Sequence, residues 1–324
     1  MNTIPNSPPM GGTELILNNL KTALPALTEQ VQIICSRPEQ VQLDPTKPKI
    51  LWLQDLPQDP ASQCLREASY RSQFNKIVFV SHWQQAQYQT HLGIPYGEGT
   101  VIKNAVPLIP APDRKPNGKK LKFIYTSTPH RGLAILAAAA DKLAETRQDW
   151  ELDVYSSLNI YGWHEQDKQF QPLYDRLKAN PCVNYIGSKP NAEVRQALLD
   201  AHVWVYPSIY QETSCMAAQE ALMSGCLGIT TNYGALPETC GEWTWMFEVH
   251  ESPEVIAQRT YLSMQRALDV YGLPDVERIL RLQSLYYQQF YSFEMRVPQW
   301  EALLNHVIAE GPKEGKLVID TLNG

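Results

Sequence analysis

Short apolar runs rich in β-branched and aromatic residues alternate with stretches of helical period along most of this chain. That alternation constrains it to parallel sheets covered by helices, an α/β fold. In the first half the pattern predicts a helix over 14–24, strands over 31–35 and 50–53, and a helix near 61–73. A strand over 77–80, a helix near 83–92 and a strand over 99–102 follow. The stretch PLIPAPDRKPNGKK, 107–120, is dense in Pro, Gly and charge and reads as a linker. A second series then predicts strands over 121–125, 151–156, 183–186 and 202–207, with helices over 133–145, 171–178 and 191–200 between them. Helical segments over 253–270, 275–291 and 295–310 close the chain. The expectation is two Rossmann-like domains, over 1–118 and 119–294, and 324 residues suffice for a core in each.

Charge narrows the function classes. Residues 1–122 carry 13 Lys and Arg against 9 Asp and Glu (+4), and the remainder carries 15 against 25 (−10), which together give the net −6. An acidic second half argues against a nucleic-acid partner, while the mildly basic first half suits an anionic acceptor or peripheral membrane contact. No stretch has the length of a transmembrane segment, and MNTIPNSPPM lacks the regions of a signal peptide, so the expected location is cytoplasmic. The six cysteines, at 35, 64, 182, 215, 226 and 240, form no C-x-x-C pair and read as buried thiols rather than disulfides. With no Asp-x-Asp pair and no His/Cys cluster, neither a metal nor a cofactor is expected.

The chemistry concentrates in 206–241, YPSIYQETSCMAAQEALMSGCLGITTNYGALPETCG. The run HVWVYP reads as a buried strand ending at Pro207, and Thr213 and Ser214 stand as N-cap candidates before a helix that Gly225 closes. Glu212 then lies in the loop and Glu220 within the helix. The helix start, from Ser214 through Cys215 to Met216, offers free N–H groups and the positive dipole end, which suits a diphosphate. Glu212 beside it can face a sugar, and the two oxygens of Glu220 can accept from vicinal hydroxyls such as those of a ribose. Elsewhere, Gly11 and Gly12 before a helix allow close approach of a ligand. Arg131, in STPHRGL after a strand, can bind phosphate oxygens bidentately and stabilise a leaving diphosphate. Gln54 and Asp55 end a strand, where ligands of parallel α/β folds gather. Asp55 is a candidate for acceptor positioning or general base, with His82 its rival. His130 and His164 lie in loops and offer contacts to a sugar hydroxyl, and Tyr161 or Trp163 offers an aromatic face.

The Glu pair, the small-residue strand after it and the turn Gly234–Ala235–Leu236–Pro237–Glu238 resemble the donor-binding core of retaining glycosyltransferases of family 4 (glycosyl transferases group 1). The resemblance implies a GT-B fold with the two parallel sheets facing a cleft, and a final helix, about 295–310, that returns to the first domain. It also implies a nucleotide diphosphate sugar as donor, bound without metal, and a glycan, lipid or protein acceptor. In such enzymes the glycine pair faces the donor diphosphate, and Ser188, within Ile186–Lys189, would frame the base. Glu212, Arg131 and Asp55 would then be the catalytic set, with Gly11, Gly12, Ser188, Thr213, Ser214, Cys215, Met216 and Glu220 on the donor. Three departures stand out, the first being Gln54, where the family often has His before the Asp. No apolar strand precedes the glycine pair, so the first domain is expected to lack its usual first strand, with Lys316–Asp320 (KLVID) filling the gap. Thr126 stands where a second basic residue is common. A non-catalytic relative that binds a glycan or partner protein, and a sugar-nucleotide epimerase, stay open as alternatives.

Overall fold

The structure, a computed structural model, describes residues 11–110 and 120–313. The expected strand over 316–320 lies outside them, as do residues 1–10 and most of the expected linker. Ten strands are described: β1 Gln32–Cys35, β2 Lys49–Trp52, β3 Lys76–Phe79, β4 Gly99–Val101, β5 Leu121–Tyr125, β6 Trp150–Val154, β7 Val183–Tyr185, β8 Val203–Tyr206, β9 Leu227–Thr231 and β10 Thr244–Phe247. The helices of eight or more residues are α1 Gly12–Ala23, α2 His82–Leu92, α3 Leu133–Ala144, α4 Gln171–Ala179, α5 Asn191–Asp200, α6 Met216–Met223, α7 Pro253–Val270, α8 Pro274–Tyr291 and α9 Val297–Glu310. The described residues divide into two compact units, one of 11–15 with 105–110 and 120–293 and one of 16–104 with 294–313.

In the smaller unit the described sheet runs β1-β2-β3-β4, parallel throughout. Every residue of β2 is buried, as a strand covered on both faces requires. Helix α9 packs here, its Trp300 ring 4.4 Å from that of Trp52, and Asn75 Nδ2 donates to Gly311 O at 2.9 Å. The helix expected near 61–73 is instead a 3₁₀ stretch, Pro60–Arg66, and a short turn of helix, Ala68–Arg71, separated by the extended Glu67. Buried Arg71 explains the break. Its Nη1 takes the carbonyls of Leu65 and Arg66 at 2.9 and 2.8 Å, and its other nitrogens reach Glu98. Those carbonyls are then engaged outside any continuous helix.

The larger unit holds a six-stranded parallel sheet in the order β10-β9-β8-β5-β6-β7. From β5 the chain steps outward to β6 and β7, then crosses to β8 on the other side of β5. The loops after β5 and β8 therefore leave adjacent strands in opposite directions, which opens a crevice at the carboxyl ends. Helix α7 lies along α3, and α8 is fixed to α6 by polar contacts. Gln283 donates to Leu222 O and Cys226 O at 3.1 and 2.8 Å, and Ser284 Oγ to Met223 O at 2.6 Å.

Candidate functional site

Two glycines in the larger unit draw the loops after β5 and β8 together. Gly132 has φ +130, and a Cβ there would meet the carbonyl of Pro207, so the two backbones pack directly. Ile209 N donates to Arg131 O at 3.2 Å across this contact. On the other flank Gly234, at φ +64, leaves room for the backbone of Glu212, whose O and N would lie 2.5 and 2.6 Å from an added Cβ. Ala235 N donates to Glu212 O at 2.7 Å, so the turn Gly234–Glu238 holds the first glutamate by its main chain.

This backbone arrangement sets Arg131 Nη1 2.8 Å from Glu212 Oε1, which also accepts from Tyr206 OH at 2.6 Å. Glu212 is only 4% exposed. The Tyr210 ring lies 4.2 Å from the Arg131 guanidinium carbon, a cation–π contact. Burial is the largest influence on Arg131 and works against its charge, but the Glu212 carboxylate together with the nearby Tyr206, Tyr161 and Tyr210 outweighs it and holds the guanidinium well above its usual pKa. Burial, reinforced by the Glu212 charge, likewise pushes the Tyr206 phenol well up, so it remains a donor. Arg131 Nε is buried with no hydrogen-bond partner.

The helix after this loop differs from expectation at its start. The N-cap position of α6 belongs to Cys215, extended at φ −80 and ψ 96, rather than to Thr213 or Ser214, and the Cys215 side chain makes no capping hydrogen bond. Ser214 Oγ instead accepts from Gln219 Nε2 at 3.4 Å. The first-turn N–H groups point along the helix axis toward its head, the positive end of the helix dipole, a setting suited to an anion. One turn further in, buried Glu220 sits with Oε1 3.3 Å from Arg195 Nη1 on α5. Burial raises the Glu220 pKa and Arg195 partly offsets it.

Eight buried side-chain polar atoms of this unit have no hydrogen-bond partner among the described residues, and six of them gather on the segments that follow β5 to β8. They are Thr128 Oγ1 and Arg131 Nε after β5, Ser156 Oγ and Asn159 Oδ1 after β6, Ser188 Oγ after β7 and Gln219 Oε1 on α6. Buried polar atoms are ordinarily satisfied, so a group of them at one sheet edge is a place where water or a polar ligand would complete the bonding.

Gly11 and Gly12 reach the same unit. A Cβ on Gly11 would come within 2.9 Å of the Tyr161 ring, and one on Gly12 within 3.5 Å of Met216 Sδ at the head of α6. Tyr161 itself leans on Trp163, centroids 5.1 Å apart. His130 is exposed and meets Tyr210 edge-on, and His164 is exposed at the start of the short helix His164–Asp167. Thr126, where a second basic residue is common in the resembling family, accepts from Trp204 Nε1 at 3.2 Å. Asp55 and His82 belong to the smaller unit. Asp55 lies 3.5 Å from Arg37 Nε, and burial raises its pKa against the pull of that charge. Its backbone N donates to Ser36 Oγ at 3.2 Å, and Ser36 and Arg37 both hold positive φ, 58 and 43. His82 is exposed at the first position of α2, whose N-cap is Ser81. Sequence reasoning missed Tyr206 and Arg195, which bond the two glutamates from β8 and α5, and Tyr210, which stacks on Arg131. Among the described residues no group of three or more His, Cys, Asp or Glu is placed to hold a metal ion.

Comparison with known proteins bears on this geometry. Residues 109–263 match the family model of glycosyl transferases group 1. That segment, just under half of the chain, contains Arg131, Glu212 and Glu220. The whole chain is similar in structure to a glycosyltransferase from Rickettsia africae ESF-5, with TM-score 0.66 at 16% identity, covering 95% of this chain and 84% of that one. A sucrose-phosphate synthase from Thermosynechococcus elongatus gives 0.65 at 16%, covering 92% and 79%. Anabaena Alr3699/HepE, solved in complex with UDP and glucose, gives 0.66 at 15%, covering 93% and 84%. At such identities the likeness carries the fold, two parallel α/β sheets in separate units as in GT-B glycosyltransferases. No curated protein matches the chain in sequence. Among the described residues no helix is long and apolar enough to cross a membrane.

Proposed function

We propose that this chain transfers a hexose from a nucleotide diphosphate sugar to a glycan, lipid or protein acceptor, with retention at the anomeric carbon and without a metal ion. The observation that carries the reading is the convergence of Arg131, Glu212 and the head of α6 at the carboxyl edge of the neighbouring strands β5 and β8. A diphosphate there would lie on the α6 N–H groups and on the unengaged nitrogens of Arg131, which stabilise the charge that grows as the sugar–phosphate bond breaks. Glu212, fixed by Tyr206, Arg131 and the Gly234 turn, would position the donor sugar while positive charge develops at its ring. Glu220 would hold the ribose diol. The unpartnered Ser188, Ser156 and Asn159 atoms offer further polar contacts to the nucleotide. In a retaining transfer the acceptor oxygen bonds to the anomeric carbon on the face from which the diphosphate departs. Asp55, its pKa raised by burial, is the proposed acceptor-positioning group. The matched family model supports sugar transfer, and the UDP-bound HepE structures favour a nucleotide sugar as donor.

The test is a thermal-shift panel of UDP-, GDP-, ADP- and dTDP-sugars in the presence of EDTA. A donor at a hundred times its Kd adds about 2.7 kcal/mol to the folded state. One nucleotide class should therefore raise Tm by several degrees in wild type and lose the effect in Glu220→Ala. A flat panel overturns the reading. Slow donor hydrolysis separates an enzyme from a binding protein, and the anomeric proton coupling of the product reports retention.

A further inference from the structure

Helix α8 carries apolar residues on both of its faces. The packed face buries Leu280, Tyr287 and Tyr291 beside Gln283 and Ser284, while Ile279, Leu282, Leu285, Tyr286 and Phe290 are 48, 53, 57, 37 and 53% exposed. Apolar residues at 279, 282, 286 and 290 follow the i, i+3, i+7, i+11 spacing of a helix–helix seam. Tyr286 and Phe290 lie 4.7 Å apart, and Trp243 covers the other side of Tyr286 at 5.4 Å, so part of the stripe is already held in place. The five side chains together present on the order of 500 Å² of apolar surface, toward the upper end of what monomeric proteins show. A standard interface takes ~800 Å² from each partner, and the stripe alone supplies more than half of that.

Two features identify the occupant. Charge along α8 is balanced, Arg278 and Arg281 against Asp275 and Glu277, without the cationic excess that draws a helix to an anionic membrane. The stripe is also self-complementary about Tyr286, with Leu282 four residues before it and Phe290 four after, each about 6 Å along the axis. We propose that α8 is the contact face of a homodimer, in which two copies of the helix cross antiparallel on a two-fold axis beside Tyr286. Leu282 of each copy then packs against Phe290 of the other, an isologous contact that closes on itself. The proposal stands apart from the reaction at the carboxyl edge of the sheet.

Light scattering on the full chain, from low to high micromolar, should give twice the 36.8 kDa chain mass. The double variant L282E/L285E should run at the single-chain mass with its Tm unchanged, because both leucines face outward. Tyr286→Cys supplies a second reading, since a cysteine on the axis should form an inter-chain disulfide under mild oxidation where wild type forms none. A wild type of single-chain mass throughout the range overturns the proposal, as does a dimer that survives both glutamates. Stripe-dependent flotation of a single-chain wild type with anionic vesicles would assign the face to membrane instead.

Discussion

Arg131→Ala removes the one cation that faces Glu212 at 2.8 Å, and the cost follows from what it leaves behind. Glu212 would keep Tyr206 as a donor but hold its charge almost wholly out of water. Breaking a buried ion pair costs about 3–5 kcal/mol. The Arg131 side chain is 23% exposed, so water reaches the vacated space and the lower end applies, about 3 kcal/mol. Loss of the contact with Tyr210 adds ~0.5–1 kcal/mol. For a unit of this size each kcal/mol moves Tm by roughly 2–4 °C, giving an expected fall of roughly 7–16 °C. Glu212→Gln keeps the shape and the bond from Tyr206 while removing the charge, and should cost about 1–2 kcal/mol. The double variant should then be more stable than the sum of the single effects by about 1–2 kcal/mol, the coupling expected of residues in contact. Urea melts of the four proteins measure this, provided unfolding of the larger unit is followed separately from the smaller one. Additivity within about 0.5 kcal/mol would falsify the claim that the two side chains act as a buried pair.

Two further perturbations probe how the glutamates are held. Gly234→Ala places a methyl group against the Glu212 main chain at φ +64, so it should cost more than the ~1–2 kcal/mol of left-handed backbone alone and displace Glu212. Chemical denaturation reads the first effect, and loss of the donor-induced Tm shift reads the second; a stable variant with full donor response would show the clamp to be unimportant. Glu220 gives a pH signature. Its folded-state pKa is raised, so between the ordinary glutamate value and that raised value the folded chain holds more protons than the unfolded one. The stability this confers is complete below the unfolded pKa and is lost as pH rises through the folded pKa. Glu220→Gln should flatten that part of the stability profile, and identical profiles for variant and wild type would refute the burial argument.

Much of the scaffold was legible because parallel strands covered on both faces read as continuous apolar runs. Strands β2, β3, β5 and β8 lie within a residue or two of the segments that KILW, KIVF, LKFIY and VWVY predict. The 61–73 segment was not legible, since its apolar spacing suits a helix and only the buried Arg71, reaching back to the carbonyls of Leu65 and Arg66, shows otherwise. Strand β10, only four residues after a turn of helix, gave too short a signal. The cap of α6 was misplaced by one or two residues because Thr213 and Ser214 carry the usual capping chemistry and Cys215 does not. Local pattern did place Glu212 in a loop and Glu220 on a helix. It could not place Arg195 against Glu220, which depends on how α5 and α6 lie side by side.

The pairing of Arg131 with Glu212, 81 residues apart, is a consequence of strand order rather than of either local sequence. Because β8 returns beside β5, the loops that end these strands meet at the switch point, and Gly132 and Gly234 permit the backbone approach that completes the meeting. The same geometry reconciles a closed ion pair with an open site. A guanidinium has five N–H donors in one plane, and Glu212 takes its bond through Nη1 while Nε stays buried and unpartnered. On the proposed function, an anion would join Arg131 at its remaining nitrogens without first separating it from Glu212, and that carboxylate would favour the charged guanidinium. Preorganisation of this kind requires no rearrangement of the charge-bearing groups at the moment of reaction, which is where fixed dipoles and ions outperform water.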